Sequence, residues 1–206
     1  MTMTRSSFWN RRRFIGTVAL MPAAAVLGFS RAQPAQAADA APLEPTPACG
    51  GDEATPPQTA GPFFKPASPE RASLIEPGIQ GERLALAGFV VLTGCVPIAN
   101  ALVDLWHADA EGRYDNRGFR LRGHQYTDAK GRYRFETIVP GNYGPRTRHY
   151  HVKVQAPGRP VLTTQLYFPD EAWNASDFLF RSDLLMAVSP VETVRHGRFD
   201  FVLDLG

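Results

Sequence analysis

The sequence predicts an all-β protein, an antiparallel β-sandwich with irregular loops and at most short helices. Three observations carry that expectation. Runs of about five to ten residues alternate apolar and polar side chains, or are apolar throughout, at the length of strands. Glycine and proline, 18 of each among 206 residues, punctuate those runs as turns. No stretch after residue 60 sustains a helical period.

The elements follow in order. Arg11-Arg12-Arg13-Phe14-Ile15 leads into a weakly apolar run from Phe14 to Phe29, and Ala35-Gln36-Ala37 offers a small-residue cleavage site. That is the order of an export signal. Paired arginines followed one residue later by Phe resemble the twin-arginine type, with Asn10 where Ser or Thr is usual. The apolar run is short and broken by Pro22, so an uncleaved membrane anchor is the weaker alternative. Residues 1–37 are therefore expected to be a leader that directs the protein to the periplasm or beyond, and the membrane enters only through it.

Residues 38–60, rich in Ala, Pro, Thr and Gly, read as an extended arm ending on Phe63 and Phe64, two aromatics expected to dock on the body. Residues 61–206 are expected to form the sandwich. Its first strand is the apolar run 84–93; after a turn, 101–107 is a second, apolar on both faces as between packed layers. Residues 109–117 form a polar loop, and Asp128-Ala129-Lys130-Gly131 is a tight turn into 132–136, where Tyr133 and Phe135 alternate with Arg134. Further strands are expected at 149–154 and 163–168, a short helix near 170–173 with a loop to 184, and a closing strand in the alternation Phe199/Phe201/Leu203/Leu205.

Charge and cysteine content narrow the function classes. The leader holds five arginines and no acids, so the remaining 169 residues carry 17 basic against 20 acidic side chains, a net −3. No Lys/Arg run remains to attract nucleic acid. That length suffices for one domain with a real core. Cys49 and Cys95 are the two cysteines, and export would favour a disulfide between them, with two free thiols the alternative.

The strand opening at 149 carries the chemistry. Residues two apart in a strand face the same way, so His149 and His151 present both imidazoles to one side and Tyr150 to the other. Neutral imidazoles side by side suit a transition metal. For H-x-H alone, a polar strand edge with two solvated histidines is the plainer reading. Val103, Leu105 and His107 alternate, which makes His107 a wall residue with its tip near a pocket. Trp106 and Phe135 are core by default, Arg148 a solvated cation, and His124 and His196 ordinary polar residues.

Upstream motifs shift the balance. Trp106-His107-Ala108-Asp109-Ala110-Glu111-Gly112-Arg113-Tyr114, Leu121-Arg122-Gly123, Pro140-Gly141-Asn142-Tyr143, Arg146, His149-Tyr150-His151 and Gln165-Leu166-Tyr167-Phe168 occur in that order, after Thr59-Ala60-Gly61-Pro62-Phe63-Phe64. Taken together, from Thr59 to Asp170, they resemble the intradiol ring-cleavage dioxygenases, the superfamily of catechol, hydroxyquinol and protocatechuate dioxygenases. The resemblance implies one mononuclear non-haem Fe(III) held by Tyr114, Tyr143, His149 and His151. Phenolates are hard anionic donors that suit such an ion. It further implies that Tyr143 leaves the metal as a catechol binds and takes a proton from it. O2 then inserts beside a hydroxyl-bearing carbon, and water opens an anhydride-type intermediate to a muconate-type dicarboxylate. Arg146 would stabilise negative charge on the ring, and Gln165 would lie just outside the ligands.

The expected partners are thus a small aromatic diol and O2, in a homo-oligomer of the family's kind. Three departures stand out: a short Tyr143-to-histidine connection, Tyr150 where a smaller residue is commoner, and no helical N-terminal dimerisation segment. Two other readings stay open. A cupin-like metalloenzyme would use the H-x-H with Gln155 four residues on. A transthyretin-like binding module would need neither metal nor Tyr114 and Tyr143.

Overall fold

The computed structural model describes residues 53–189 and 194–206. The expected leader 1–37, the first part of the arm and Cys49 of the expected disulfide lie outside those residues. Nine strands form two sheets: β1 (Arg83–Leu92), β2 (Leu102–Trp106), β3 (Arg122–Tyr126), β4 (Arg132–Ile138), β5 (His149–Gln155), β6 (Leu162–Tyr167), β7 (Ala187–Ser189), β8 (Arg195–Arg198) and β9 (Phe201–Leu203). One sheet runs β4-β1-β8-β7 with β9 also paired to β1; the other runs β3-β2-β5-β6. The four-stranded sheet is antiparallel throughout, whereas β1 pairs in parallel with both β8 and β9.

Alternation decides what lies between the sheets. Leu84, Leu86 and Val90 of β1, Tyr133 and Phe135 of β4, and Tyr150, Val152 and Val154 of β5 all enter one buried cluster. Phe201 and Leu203 join it as their spacing predicts, while Phe199 and Leu205 pack only at its margin. The expected helix near 170 is a 3-10 turn over Ala172–Ala175, followed by another over Ser182–Leu184. Three strands had no apolar signal: β3 and β8 are polar, and β7 is three residues long.

Two straps close the sandwich where edge strands would otherwise expose unpaired backbone. The end of the arm crosses one side, with the Thr55 amide donating to the Val202 carbonyl at 2.8 Å and the Gln58 amide to the Thr163 carbonyl at 2.8 Å. Residues 69–74 cross the other, bridging His124 of β3 and Glu136 of β4. Between them, residues 59–64 run over the outer face of the four-stranded sheet. That cover explains why β2 is buried on both faces.

Candidate metal centre

The strand register builds the centre on the outer face of the four-stranded sheet, away from the interior. Arg122, Trp106, His151 and Gln165 stand opposite one another on β3, β2, β5 and β6, forming a single rung, and His149 faces Tyr167 on the next. The Trp106 indole lies flat on the His151 ring, 5.1 Å between centroids and 4° between planes. Gly61, at φ +65°, lets the arm pass over His151; a Cβ there would sit 3.2 Å from the ring.

The two imidazoles meet. His149 Nε2 and His151 Nε2 are 3.2 Å apart, and the Tyr114 hydroxyl lies 3.4 Å from His149 Nε2. Because a carbonyl only accepts, the 2.6 Å contact between His149 Nδ1 and the Thr147 carbonyl puts the proton on Nδ1 and leaves Nε2 a lone pair. Imidazole nitrogens bind transition metals at about 2.1 Å, and atoms 3.2 Å apart can both reach one such point. Burial holds His149 down to about 4, against a pull from the Thr147 carbonyl, and holds His151 well below its ordinary value, helped by His149 and Arg146. Both are neutral donors at pH 7. The Thr59 backbone pulls against that lowering of His151.

Tyr114 reaches this point because two loops lock together. Gly112, at φ +80°, packs so closely on the 140–143 turn that a Cβ would fall 1.9 Å from the Asn142 carbonyl oxygen. The Gly141 amide also donates to the Asp109 carbonyl at 2.8 Å. Phe63 stacks on Tyr114 at 4.5 Å and meets Tyr143 edge-on at 5.0 Å, while Tyr114 and Tyr143 are edge-to-face at 5.5 Å. Burial raises the Tyr114 phenol well above its ordinary 10, opposed by Arg146 and then Arg122. Tyr143 sits at the mouth, 37% exposed. A cavity of about 500 Å³ opens along the flank of Tyr114 past Ile79 and Arg120.

Arg146 is held rather than solvated. Its Nε donates to both oxygens of Asp177 at 2.9 and 2.8 Å, and its Nη2 to Gln165 Oε1 at 2.6 Å and to the Tyr167 hydroxyl at 3.2 Å. Asp177 also accepts the Thr147 amide at 3.0 Å, so one carboxylate fixes the cation and the residue that orients His149. Tyr143 and Arg146 close a tight turn on each other through paired backbone bonds of 2.8 and 3.2 Å.

The structure therefore brings Tyr114, His149 and His151 together, with Tyr143 beside Tyr114 and Arg146 hydrogen-bonded to Gln165. It corrects two sequence expectations. His107 points into the interior, where Ala108 accepts from its Nδ1 at 2.7 Å and Thr137 bonds its Nε2 at 2.6 Å, and Trp106 takes the place at the site. Arg148 pairs with Glu171 at 3.2 Å instead of being solvated. Gln155 donates to the Arg159 carbonyl at the far end of β5, which removes the cupin-like ligand. Asp177 had no assigned role, Phe63 was expected only to dock on the body, and only the alternation of β2 could have exposed Trp106.

The donor set fits a metal. Among the described residues no three His, Cys, Asp or Glu side chains converge as a metal site. Any ion here would draw on the Tyr114 phenol oxygen beside the two imidazoles, a mixture that suits iron.

Comparisons agree. The dioxygenase family model matches residues 60–205. Catechol 1,2-dioxygenase 2 of Acinetobacter lwoffii is 32% identical over 177 residues, covering 72% of this chain and 64% of the relative. Hydroxyquinol 1,2-dioxygenase of a Rhizobium species is 32% identical over 178 residues, covering 72% and 59%. The chain thus spans under two thirds of the length of these relatives. Among solved structures, the dioxygenase domain of a dioxygenase carbohydrate-binding protein fusion from Streptomyces sp. SirexAA-E is 52% identical, with a TM-score of 0.73 over 75% of this chain and 100% of that one. The 3-chlorocatechol 1,2-dioxygenase of Rhodococcus opacus 1CP is 29% identical, with a TM-score of 0.69 over 74% and 73%. This kinship implies a mononuclear non-haem iron site. A match over well over half of the sequence makes the chain a member of the intradiol-type dioxygenases, the superfamily of the catechol and protocatechuate enzymes.

Proposed function

We propose that the protein cleaves a catechol-type ring between its two hydroxylated carbons, using O2 and a ferric ion held by Tyr114, Tyr143, His149 and His151. The observation that carries the reading is the approach of His151 Nε2, at 3.2 Å, and the Tyr114 hydroxyl, at 3.4 Å, to His149 Nε2, with the other nitrogen of His149 already committed to Thr147. A bound ferric ion would supply a Lewis-acidic, redox-active centre where diol and O2 meet. Both oxygen atoms end in the muconate-type dicarboxylate, so no external reductant is consumed.

The chain's own residues prepare that chemistry. The imidazoles are neutral and need lose no proton to bind. Tyr114 must lose one; its burial opposes that, and the fields of Arg146 and Arg122 work against the burial. Tyr143, exposed at the mouth, is placed to accept a substrate proton. Arg146, fixed by Asp177 and Gln165, offers a preorganised cation to negative charge on the ring. Trp106, Phe63 and Phe64 keep water from the imidazoles. Export through the twin-arginine route is part of the proposal and rests on Arg11-Arg12-Arg13-Phe14 and Ala35-Gln36-Ala37; N-terminal sequencing of the protein from a periplasmic fraction tests it.

Iron reconstitution followed by turnover tests the activity. The loaded protein should be reddish, from phenolate-to-iron charge transfer, and should consume one O2 per catechol in an oxygen electrode. A colourless iron-loaded protein that consumes no O2 with a panel of substituted catechols would refute the reading.

A further inference from the structure

Arg122 lies at the end of the rung that carries His151, and it is 2% exposed. Its Nη1 donates to the Phe63 carbonyl at 2.7 Å, while Nε and Nη2 both donate to the Asp115 carbonyl, at 3.2 and 3.0 Å. No carboxylate of the described residues lies within ion-pairing distance of it. Burying a guanidinium without a carboxylate is costly, and an apolar side chain of similar volume would avoid that cost. Only a planar fork of donors reaches carbonyls on two separate segments at once.

Both carbonyls flank the same ring. Asp115 follows Tyr114 in the chain, and Phe63 stacks on the face of Tyr114. The fork is itself immobilised. Leu121 turns the backbone into Arg122 at φ 55°, the Arg122 amide bonds the Phe119 carbonyl at 3.2 Å, and the Arg122 carbonyl accepts Arg71 Nε and Nη2 at 2.9 and 2.8 Å. Asp115 curls its loop by accepting the Arg117, Gly118 and Arg120 amides on its carboxylate, leaving its own carbonyl to the guanidinium.

We propose that Arg122 is a positioning residue for the Tyr114 donor: it clamps the Tyr114 loop to the Phe63 segment and so fixes the phenol oxygen beside His149 and His151. The proposal rests on Tyr114 being an iron ligand, as argued above. Arg122 touches neither substrate nor metal in this role. Its effect passes through the two carbonyls.

Arg122→Lys tests the clamp, because it keeps the charge and loses the fork. In the metal-free full-length protein, amide hydrogen exchange over residues 114–118 should accelerate at least tenfold while that of residues 149–155 stays at the wild-type rate. In the iron-loaded protein, ferric affinity should fall at least tenfold and the phenolate charge-transfer band should shift or weaken. Ile138→Val, a core change that lowers stability away from the site, should alter neither the band nor the local exchange. Phe63→Leu removes the stacked ring, leaves the carbonyl that accepts Arg122 Nη1 and should shift the same band, which keeps the test open if Arg122→Lys does not fold. An unmoved band in the variants, or unchanged exchange over 114–118 in Arg122→Lys, overturns the proposal. If iron-loaded wild type is colourless and inactive, the ring-cleavage reading fails, and the metal-free exchange decides the clamp by itself.

Discussion

At the start of β5 the inner and outer faces are almost equally buried but very differently satisfied. Tyr150, Val152 and Val154 on the inner face are fully buried, and His149 and His151 on the outer face are 3% exposed. Inside, the polar atoms near β5 have partners: the Tyr150 hydroxyl donates to Ile138 at 2.9 Å, and both His107 nitrogens are bonded. Outside, Trp106 Nε1 has no hydrogen bond, and the Nε2 atoms of His149 and His151 face each other at 3.2 Å. Native proteins rarely leave such atoms unpaired in the dark. The inner face is built for stability; the outer face leaves the His149 Nε2 lone pair, freed by the Thr147 carbonyl, beside His151 Nε2 and the Tyr114 hydroxyl.

Each prediction attacks one side of that contrast. His151→Ala should remove iron binding and lower turnover by at least about 10³-fold, equivalent to about 4 kcal/mol. The melting temperature of the metal-free protein should barely move, which colour, iron content and thermal unfolding check together. Phe135→Ala should do the reverse, costing about 3–5 kcal/mol in denaturant unfolding while the folded fraction still binds iron. If both variants lost stability and iron alike, the two faces would not be separable.

The pH dependence of stability sharpens the inner side. Burial, chiefly, holds His107 down to about 4 against an ordinary 6.5. The unfolded chain therefore takes up a proton between those values and the folded chain does not. Stability carried by neutral His107 is intact above about pH 6.5 and lost as pH falls toward 4, by about 3 kcal/mol. His107→Gln should flatten the slope of unfolding free energy in that window relative to wild type. The smallest effect concerns the outer side. Asp177→Asn should cost about 2 kcal/mol, because it removes a buried charge partner of Arg146 and turns one acceptor oxygen into a donor facing the Thr147 or Leu179 amide. It should also slow turnover more than tenfold, and steady-state oxygen uptake beside thermal unfolding reads both.

Local pattern and distant contact divide the rest. Period-two alternation was enough to put His149 and His151 on one side and Tyr150 on the other, because a strand's pleat is a property of its own backbone. It also disclosed the long apolar strands, whereas Tyr114, Tyr143, Arg146 and Gln165 were named as a set only by the resemblance that the motif order carries. Alternation in β2 was legible too, yet it does not say which face meets the interior, and so His107 and Trp106 exchanged places. The polar strands β3 and β8 left no trace, since their burial comes from covering segments and not from their own side chains. Asp177 stands 31 residues from the arginine it holds, and Phe63 reaches Arg122 across 59. Such pairings carry no periodic signal. They exist only once both sheets, the two straps and the arm have closed around one point, which is why the residues that come together were readable from the chain and the scaffold that aims them was not.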